Sequence, residues 1–383
     1  VNTMPGEPPK RVMFYVQHLL GVGHVRRASL ISTAMVEAGL EVHVALGGAE
    51  VSGITFPDAQ IHRLPEAQAA DASFSLIVDA AGSPITEQWR TRRLEIILDL
   101  FHSISPDILL IEQFPFGRRQ FRFELIPLLE AARHAGNSPR IACSVRDLLV
   151  KKNDPKRDHE TANVINQYFD QVFVHGDPSF LPLDASFEET ARIAKKLQYT
   201  GYVAPMVPSP STLGAGEVIV AAGGGAVGEH LLKTAVAAKP MSSLNDRVWR
   251  ILMGPNLDPE ARAELESTTD ANIVVEPNRK DYAALLRNCA LSISQAGYNT
   301  LMDIVMTRCP AIVVPFSNGG ETEQTVRAQL LADAQHVTLL PTDELSPHVL
   351  ARLVDSTYLR MPSETLPFQV DGAVTTAEYM KIL

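Results

Sequence analysis

Short unbroken apolar runs alternate with stretches of helical spacing along almost the whole chain. Arg11–Val16 (RVMFYV) reads as a first buried strand. A helix follows to about Ala38, Gly39 closes it, and Glu41–Leu46 reads as the next strand. Further strands are expected at Gln60–Leu64, Leu76–Val78, Asp107–Ile111, Arg140–Val145 and Gln171–Val174, with helices at Thr86–Ile104 and 157–169. Ala49 to Pro84 is otherwise irregular. Strands alternating with helices predict a parallel sheet, whose strand-end loops all face the same way.

The same alternation restarts near residue 217. Glu217–Ala222, Val248–Met253, Ile273–Val275, Ala290–Ser294, Ala311–Pro315 and His336–Leu340 read as strands. Helices are expected at 228–239, Asp281–Asn288, Thr300–Met306, from near Glu321, at 346–355, and in the tail Gly372–Leu383. Between the halves, Val203–Gly216 carries Pro205, Pro208 and Pro210 and reads as a linker. The expected division is a domain over 1–204, a linker over 205–216, a second domain over 217–360 and a tail over 361–383.

Each half opens with a strand and a glycine-rich turn into a helix, which is the start of a Rossmann-like unit. The first turn contains Gly21, Gly23, His24 and Arg27 in a GxGHxxR pattern, and the second runs Gly223-Gly224-Gly225-Ala226-Val227-Gly228. A dinucleotide site also needs a ribose-binding acid at the end of the following strand. Here those strands end in Gly47-Gly48 and Gly254-Pro255, which disfavours nicotinamide and flavin enzymes. A glycine turn at a helix start can instead cradle a diphosphate with backbone amides.

Candidate chemistry gathers in three places. His24 is the leading candidate for a general base, since imidazole titrates near neutrality; the alternative is a helix cap or a phosphate contact. Gly23, Arg26 and Arg27 beside it suit a phosphate or an anionic acceptor. Glu112 and Asp147 follow strand ends and are reserve candidates for the base. His175 and Asp177 lie in a turn at the sheet edge, where a structural role is the simpler reading. In the second half, Ala296, Gly297, Asn299 and Thr300 form a turn whose amides can approach an anion. Asp303, one helical turn further, can accept hydrogen bonds from vicinal hydroxyls, and Glu323 and Gln324 can do the same for a hexose. The stretch Phe114–Phe123 mixes four phenylalanines with three arginines. The preferred reading puts its rings in the core and its arginines in water; the alternative is a face for an anionic lipid surface.

Composition narrows the field. A chain of 383 residues suits two cores rather than one. The formal net charge of −10 argues against general nucleic-acid binding. Cys143, Cys289 and Cys309 are odd in number and lack CxxC spacing, so buried thiols in a reducing compartment are expected rather than disulfides or metal ligands. The proline-bearing N-terminal residues show no signal-like apolar run, and no apolar run approaches the ~18 residues needed to span a bilayer. A cytoplasmic protein is expected, with peripheral attachment to the inner membrane face left open.

The stretch from Ala290 to Ala328 resembles the donor half of GT-B glycosyltransferases, most closely those of MurG type (glycosyltransferase family 28), which use UDP-N-acetylglucosamine. Counting back from Val314-Pro315-Phe316 puts Asp303 at the family's ribose-binding carboxylate, with Asp in place of the usual Glu. Glu323-Gln324, ahead of Ala328, falls on the family's sugar-binding pair after a loop about one residue longer than expected. Gly223–Gly225 matches a loop that contacts donor or acceptor oxygens, and Glu276 the place where main-chain groups hold the nucleobase. The His24 turn resembles the first loop of MurG-type enzymes, and equally that of the UDP-sugar hydrolase of pseudaminic acid biosynthesis.

The resemblance implies an α/β GT-B fold, two Rossmann-like domains facing each other across a cleft, with the tail helix packed back on the first. It implies transfer from a nucleotide-diphosphate sugar to an unknown acceptor, lipid-linked or a polysaccharide precursor, with no cofactor beyond the donor. No Asp-x-Asp occurs, which fits a metal-independent reaction, and His24 as base implies inversion at the anomeric carbon. A UDP-sugar hydrolase or epimerase and a catalytically silent sugar-nucleotide-binding protein are the rival expectations.

Overall fold

The computed structural model describes residues 8–19, 23–51, 53–70, 76–149, 154–223, 228–254, 257–268, 270–316 and 323–383. The chain divides into two compact units. Unit 1 runs up to Val203 and takes in Phe368–Leu383; unit 2 is Ala204–Pro367. Among the described residues, no helix is long and apolar enough to cross a membrane.

In unit 1 the elements are β1 (Arg11–Val16), α1 (Gly23–Glu37), β2 (Glu41–Leu46), β3 (Gln60–Arg63), β4 (Ala67–Ala69), β5 (Ile77–Asp79), α2 (Glu87–Ile104) and β6 (Ile108–Glu112). They continue with α3 (Arg122–His134), β7 (Arg140–Arg146), α4 (Pro155–Tyr168), β8 (Gln171–His175), α5 (Thr190–Ile193) and β9 (Leu197–Tyr199). One sheet orders its strands β3-β2-β1-β6-β7-β8-β9, and every pairing in it is parallel. The order turns back at β1, flanked by β2 on one side and β6 on the other. Such a switch point opens a crevice at the strand ends, so the loops after β1 and β6 are where a ligand belongs. The stretch read as irregular holds an antiparallel pair, β4 with β5.

Unit 2 repeats the design with β10 (Val218–Ala221), α6 (Glu229–Ala238), β11 (Trp249–Met253), α7 (Pro259–Glu266), β12 (Ile273–Pro277), α8 (Tyr282–Asn288) and β13 (Leu291–Gln295). It goes on through α9 (Tyr298–Thr307), β14 (Ala311–Val314), α10 (Glu323–Asp333), β15 (Thr338–Leu339) and α11 (Pro347–Thr357). Its parallel order is β12-β11-β10-β13-β14-β15, with the switch between β10 and β13. Helix α9 begins at Tyr298, ahead of the expected Thr300, because Gly297 already adopts the extended cap conformation. The expected strand His336–Leu340 shrinks to two paired residues at the sheet edge.

Each helix has local reasons to form. In α2, Thr86 caps the first turn by accepting from the Trp89 amide at 3.1 Å, and Glu87 sits where the helix dipole favours an acid. Ile97, Phe101 and Ile104 recur at helical spacing on its buried face, and Ser105 ends it in the left-handed conformation. The tail helix α12 (Gly372–Ile382) belongs to unit 1, where Ala377 and Met380 pack with Ala28, Ile31 and Met35 of α1. Its start is tied down by the Tyr202 amide donating to Gln369 O at 2.7 Å. A side chain at Gly372 would meet the Gly201 carbonyl oxygen at 2.3 Å, so this approach requires glycine.

Beneath the β1 end lies a buried ion pair. Arg93 Nε donates to Glu124 Oε2 at 2.7 Å, and neither side chain is exposed. The Tyr15 hydroxyl donates to Glu124 Oε1 at 2.6 Å, and Arg93 Nη2 to Gln17 Oε1 at 2.5 Å. Removing one partner strands the other charge in the core. Glu124→Ala is therefore expected to cost ~3–5 kcal/mol in urea unfolding. Arg90→Ala, which breaks an exposed pair with Glu87, should cost under ~1 kcal/mol. Equal losses for the two variants would contradict this account of the pair.

Candidate active site

The start of α1 and the C-terminal part of β7 converge on one carboxylate at the end of β6. Glu112 ends β6 at the switch point and is fully buried. Its Oε1 lies 3.1 Å from His24 Nδ1 and also accepts from Arg27 Nη2. Ser144 of β7 donates to Oε2 at 2.5 Å. His24 and Arg27 stand one helical turn apart at the start of α1, so the helix presents both to the same acceptor. Burial alone would raise the Glu112 pKa, but Arg27, His24 and Ser144 outweigh it and hold the group well below the usual carboxylate range.

An ionised carboxylate accepts and cannot donate. The His24 nitrogen facing it must therefore carry the proton, because a lone pair there would be repelled at 3.1 Å. That leaves the lone pair on Nε2, the form a proton acceptor needs. The His24 pKa is lowered to about 3, by burial first and then by Arg118, with Glu112 opposing; at neutral pH the ring is uncharged.

The chain of contacts continues inward. Ser144 Oγ is 2.9 Å from His175 Nε2, and His175 Nδ1 is 2.9 Å from Thr200 Oγ1. Ser144, His175 and Thr200 are all fully buried. Sequence reasoning placed His175 in a structural turn and missed Ser144 and Thr200. The usable signal was position, since Ser144 and His175 lie at the C-terminal ends of adjacent parallel strands.

Several expected roles change. Glu112, a reserve base, is too well supplied with donors to take a proton and orients His24 instead. Asp147, the other reserve, is fully buried and accepts from the Tyr202 hydroxyl at 2.9 Å. Arg27 is 3% exposed and paired with Glu112 through Nη2, so it is a buried partner of the carboxylate rather than a surface arginine. Gly23 opens α1, and Arg26 is half-buried on it. In the Phe114–Phe123 stretch the rings of Phe114, Phe116 and Phe121 are core, as expected. Arg118, however, is not a solvated arginine. Its Nε donates to Gln17 O at 2.5 Å, and burial, with Arg146 and Arg27 adding, lowers it to about 10 despite Glu112.

In unit 2 the switch point is built from backbone. Gly223 has φ +69°, a conformation that favours glycine, and lies beside Gln295. Asn278, just past β12, donates to Gly223 O at 3.1 Å and binds the two loops together. A Cβ at Gly228 would fall 1.9 Å from that of Ala222, so helix and strand pack there only through glycine. Gly224 and Gly225 lie outside the described residues. Gly297 caps α9, and Tyr298, Asn299 and Thr300 form its first turn.

Four of the residues expected on the donor side have these surroundings in the fold. The Ala296 amide donates to Val314 O at 3.3 Å, so the sheet already uses it. Gln324 Oε1 accepts from the Phe316 amide at 3.1 Å and folds back on the end of β14. Glu276 is bound by Arg250 at 2.9 Å and Arg279 at 3.4 Å. Asp303 is 2% exposed, packed inside unit 2 rather than displayed at its edge. Burial raises the Tyr282 phenol, and Cys309 and Asp303 add to that shift. Glu323 stands in the first turn of α10.

Comparison with known proteins agrees with this layout. The Glycosyltransferase family 28 C-terminal domain matches residues 218–369. A UDP-N-acetylglucosamine–N-acetylmuramyl-(pentapeptide) pyrophosphoryl-undecaprenol N-acetylglucosamine transferase of Rippkaea orientalis is 35% identical over 103 residues, 27% of this chain and 28% of that protein. The transferase of the same name from Prochlorococcus marinus is 28% identical over 162 residues, 40% of this chain and 45% of the relative. The chain thus matches less than half the length of these relatives. Among solved structures, MurG of Acinetobacter baumannii aligns with TM-score 0.60 at 15% identity, covering 98% of this chain and 100% of that one. The calicheamicin glycosyltransferase CalG4 aligns with TM-score 0.57 at 14% identity, over 97% of this chain and 94% of the other. The fold is GT-B.

Three histidines of unit 1, His18 and His175 buried and His24 partly buried, make stability depend on pH. His18 is lowered to about 4, chiefly by burial and then by Arg118, and His24 and His175 to about 3. Folded values below the unfolded one mean that their contribution is complete above the ordinary histidine pKa and is lost as pH falls toward 4 and 3. Unfolding near pH 5 should take up about three protons from these side chains, each worth about 1.4 kcal/mol per pH unit. Urea unfolding at stepped pH reads this slope directly, and His175→Gln should lower it by about one proton. A stability independent of pH between 5 and 6 would contradict the neutral assignments.

Proposed function

We propose that this chain, a MurG-like protein of the GT-B fold with a family 28 C-terminal domain in its second unit, transfers a sugar from a nucleotide-diphosphate donor, UDP-linked, to an acceptor hydroxyl. The observation that carries the reading is the His24–Glu112 pair at the unit 1 switch point. An imidazole held as Nδ1–H keeps its Nε2 lone pair for the acceptor's proton while the sugar leaves its diphosphate. Backside attack on the anomeric carbon then inverts it. Unit 2 binds the donor, in this reading, with the first turn of α9 and the Gly223 loop toward the diphosphate. Backbone amides and the α9 dipole suit the charge that develops on the leaving group, so the reaction is proposed to need no metal.

The curated relatives carry UDP-N-acetylglucosamine and a pyrophosphoryl-undecaprenol substrate in their names. By analogy, UDP-N-acetylglucosamine is the first donor to try and a lipid-linked saccharide the first acceptor, met by a protein attached peripherally to the inner face of the membrane. A hydrolase remains the second reading, because water can replace the acceptor at the same base and the GxGHxxR turn is shared with such an enzyme.

Two outcomes test the proposal. UDP and UDP-sugars should raise the melting temperature, with a stabilisation of about 2.7 kcal/mol at a hundredfold excess over Kd. His24→Gln should keep that response but lose ~10²–10⁴-fold in turnover. Asp303→Asn separates two roles for the buried acid. Ribose contact predicts weaker UDP binding at unchanged stability, whereas packing predicts the reverse. No response to any nucleotide sugar would refute the donor assignment, and rapid sugar release without acceptor would favour the hydrolase.

A further inference from the structure

The mechanism uses His24 and Glu112 but leaves a buried serine, histidine and threonine in line behind them. We infer that Ser144, His175 and Thr200 are positioning residues, a directed hydrogen-bond chain that locks the Glu112 carboxylate so that His24 keeps its proton on Nδ1. The inference rests on the reading of His24 as the base.

Direction follows from counting protons. Glu112, facing the Arg27 guanidinium, is ionised and only accepts. The Ser144 hydroxyl therefore points its single hydrogen at Oε2, 2.5 Å away. With that hydrogen committed, Ser144 meets His175 Nε2 at 2.9 Å through a lone pair, so Nε2 carries the histidine's hydrogen. His175 is neutral, burial and Arg27 lowering its pKa to about 3, so Nδ1 is an acceptor. The Thr200 hydroxyl, 2.9 Å from it, then donates. This placement satisfies the chain from Glu112 to Thr200, whose hydroxyl takes the nearer His175 over the Val174 and Gly201 carbonyls at 3.4 and 3.3 Å, and the reverse direction would require a proton on Glu112 beside Arg27.

The lock matters because two groups compete for His24 Nδ1. Glu112 Oε1 stands at 3.1 Å and needs a hydrogen from it; Arg27 Nη2 stands at 3.2 Å and offers one to it. Whichever wins sets the tautomer. A carboxylate turns easily about its terminal torsion, which has a broad energy profile. With Oε2 held by Ser144, Oε1 stays aimed at Nδ1. Without that anchor Glu112 can swing toward Arg27, Nδ1 then accepts from Arg27, and the proton moves to Nε2. An Nε2–H imidazole cannot take a proton from a hydroxyl. Orientation of a functional histidine through the partner of its partner is the same physics that tunes histidine ligands at metal sites.

The test reads the tautomer by long-range proton–nitrogen NMR on the full chain labelled with ¹⁵N-histidine. His24 is assigned by its absence in His24→Gln. In the wild type, Nδ1 should be pyrrole-like and Nε2 pyridine-like. Ser144→Ala should shift the tautomer ratio toward Nε2–H by about tenfold and lower kcat without raising the KM for donor, and Ser144→Thr, which keeps the hydroxyl, should restore both. If Ser144→Ala does not fold, Thr200→Val, near-isosteric at the far end, decides the matter and should shift the ratio in the same direction. A wild type already in the Nε2–H form overturns the base assignment and this inference together. A wild type in the Nδ1–H form that neither variant disturbs overturns the inference alone.

Discussion

A carboxylate buried at a sheet's switch point is the constraint on which unit 1 depends. Taking an ion out of water costs several kcal/mol even after the protein relaxes, and only donors delivered from outside the strand can offset it. Glu112 draws three of them from two elements: Arg27 and His24 from α1, and Ser144 from β7. The demand thus orients the first helix against the sheet and fixes its register to the residue. A one-residue slip in α1 would carry both side chains away from the acid, since helix neighbours point some 100° apart. The structural need of the fold and the chemical need of the base are met by the same bonds.

Unit 2 reaches its switch point by another route. Where unit 1 fills the position with charged side chains, the described residues of unit 2 set glycines around it: Gly223 in the left-handed region, Gly228 pressed on Ala222, and Gly297 capping a helix that no side chain caps. Bare backbone lets a bulky anion approach amides closely, whereas a filled position suits the handling of a single proton. The arginines of unit 2 support this division. Arg250 and Arg279 are committed to Glu217, Glu276 and Asp281.

The strand and helix order was legible because the central strands, such as β1, β6, β10, β13 and β14, are largely apolar runs buried on both faces, and a glycine turn follows the first strand of each half. The place of His24 at the start of α1 was legible as well, since it follows a first strand and a glycine turn. What could not be read was pairing. Glu112 and Ser144 are far apart in sequence and meet only because β6 and β7 are neighbours in register. Nothing local distinguishes Arg27, buried against a carboxylate, from Arg26, half-buried one residue earlier. Asp303 shows the same limit from the other side. Its spacing from Val314-Pro315-Phe316 is a one-dimensional fact, while its burial depends on how α9 packs against α8. Similarly, Arg118 reads as one member of a basic surface run, yet the turn after β6 folds it back onto Gln17.

Electrostatics sets a limit on His24 as the proposed base and shows what would relieve it. An efficient base has a pKa near the working pH, and His24 lies well below that. Burial is the largest cause, but Arg118 comes next and Arg27 contributes. A second buried acid beside His24 would correct the pKa, yet it would also repel a diphosphate-bearing substrate. Guanidiniums do the opposite, drawing the anion in while holding the imidazole neutral until it arrives. An anion placed beside Arg118 offsets the part of the depression that Arg118 causes, so the proposed base gains basicity when there is a proton to take. The same charge that weakens the resting base is thereby what couples its strength to occupancy.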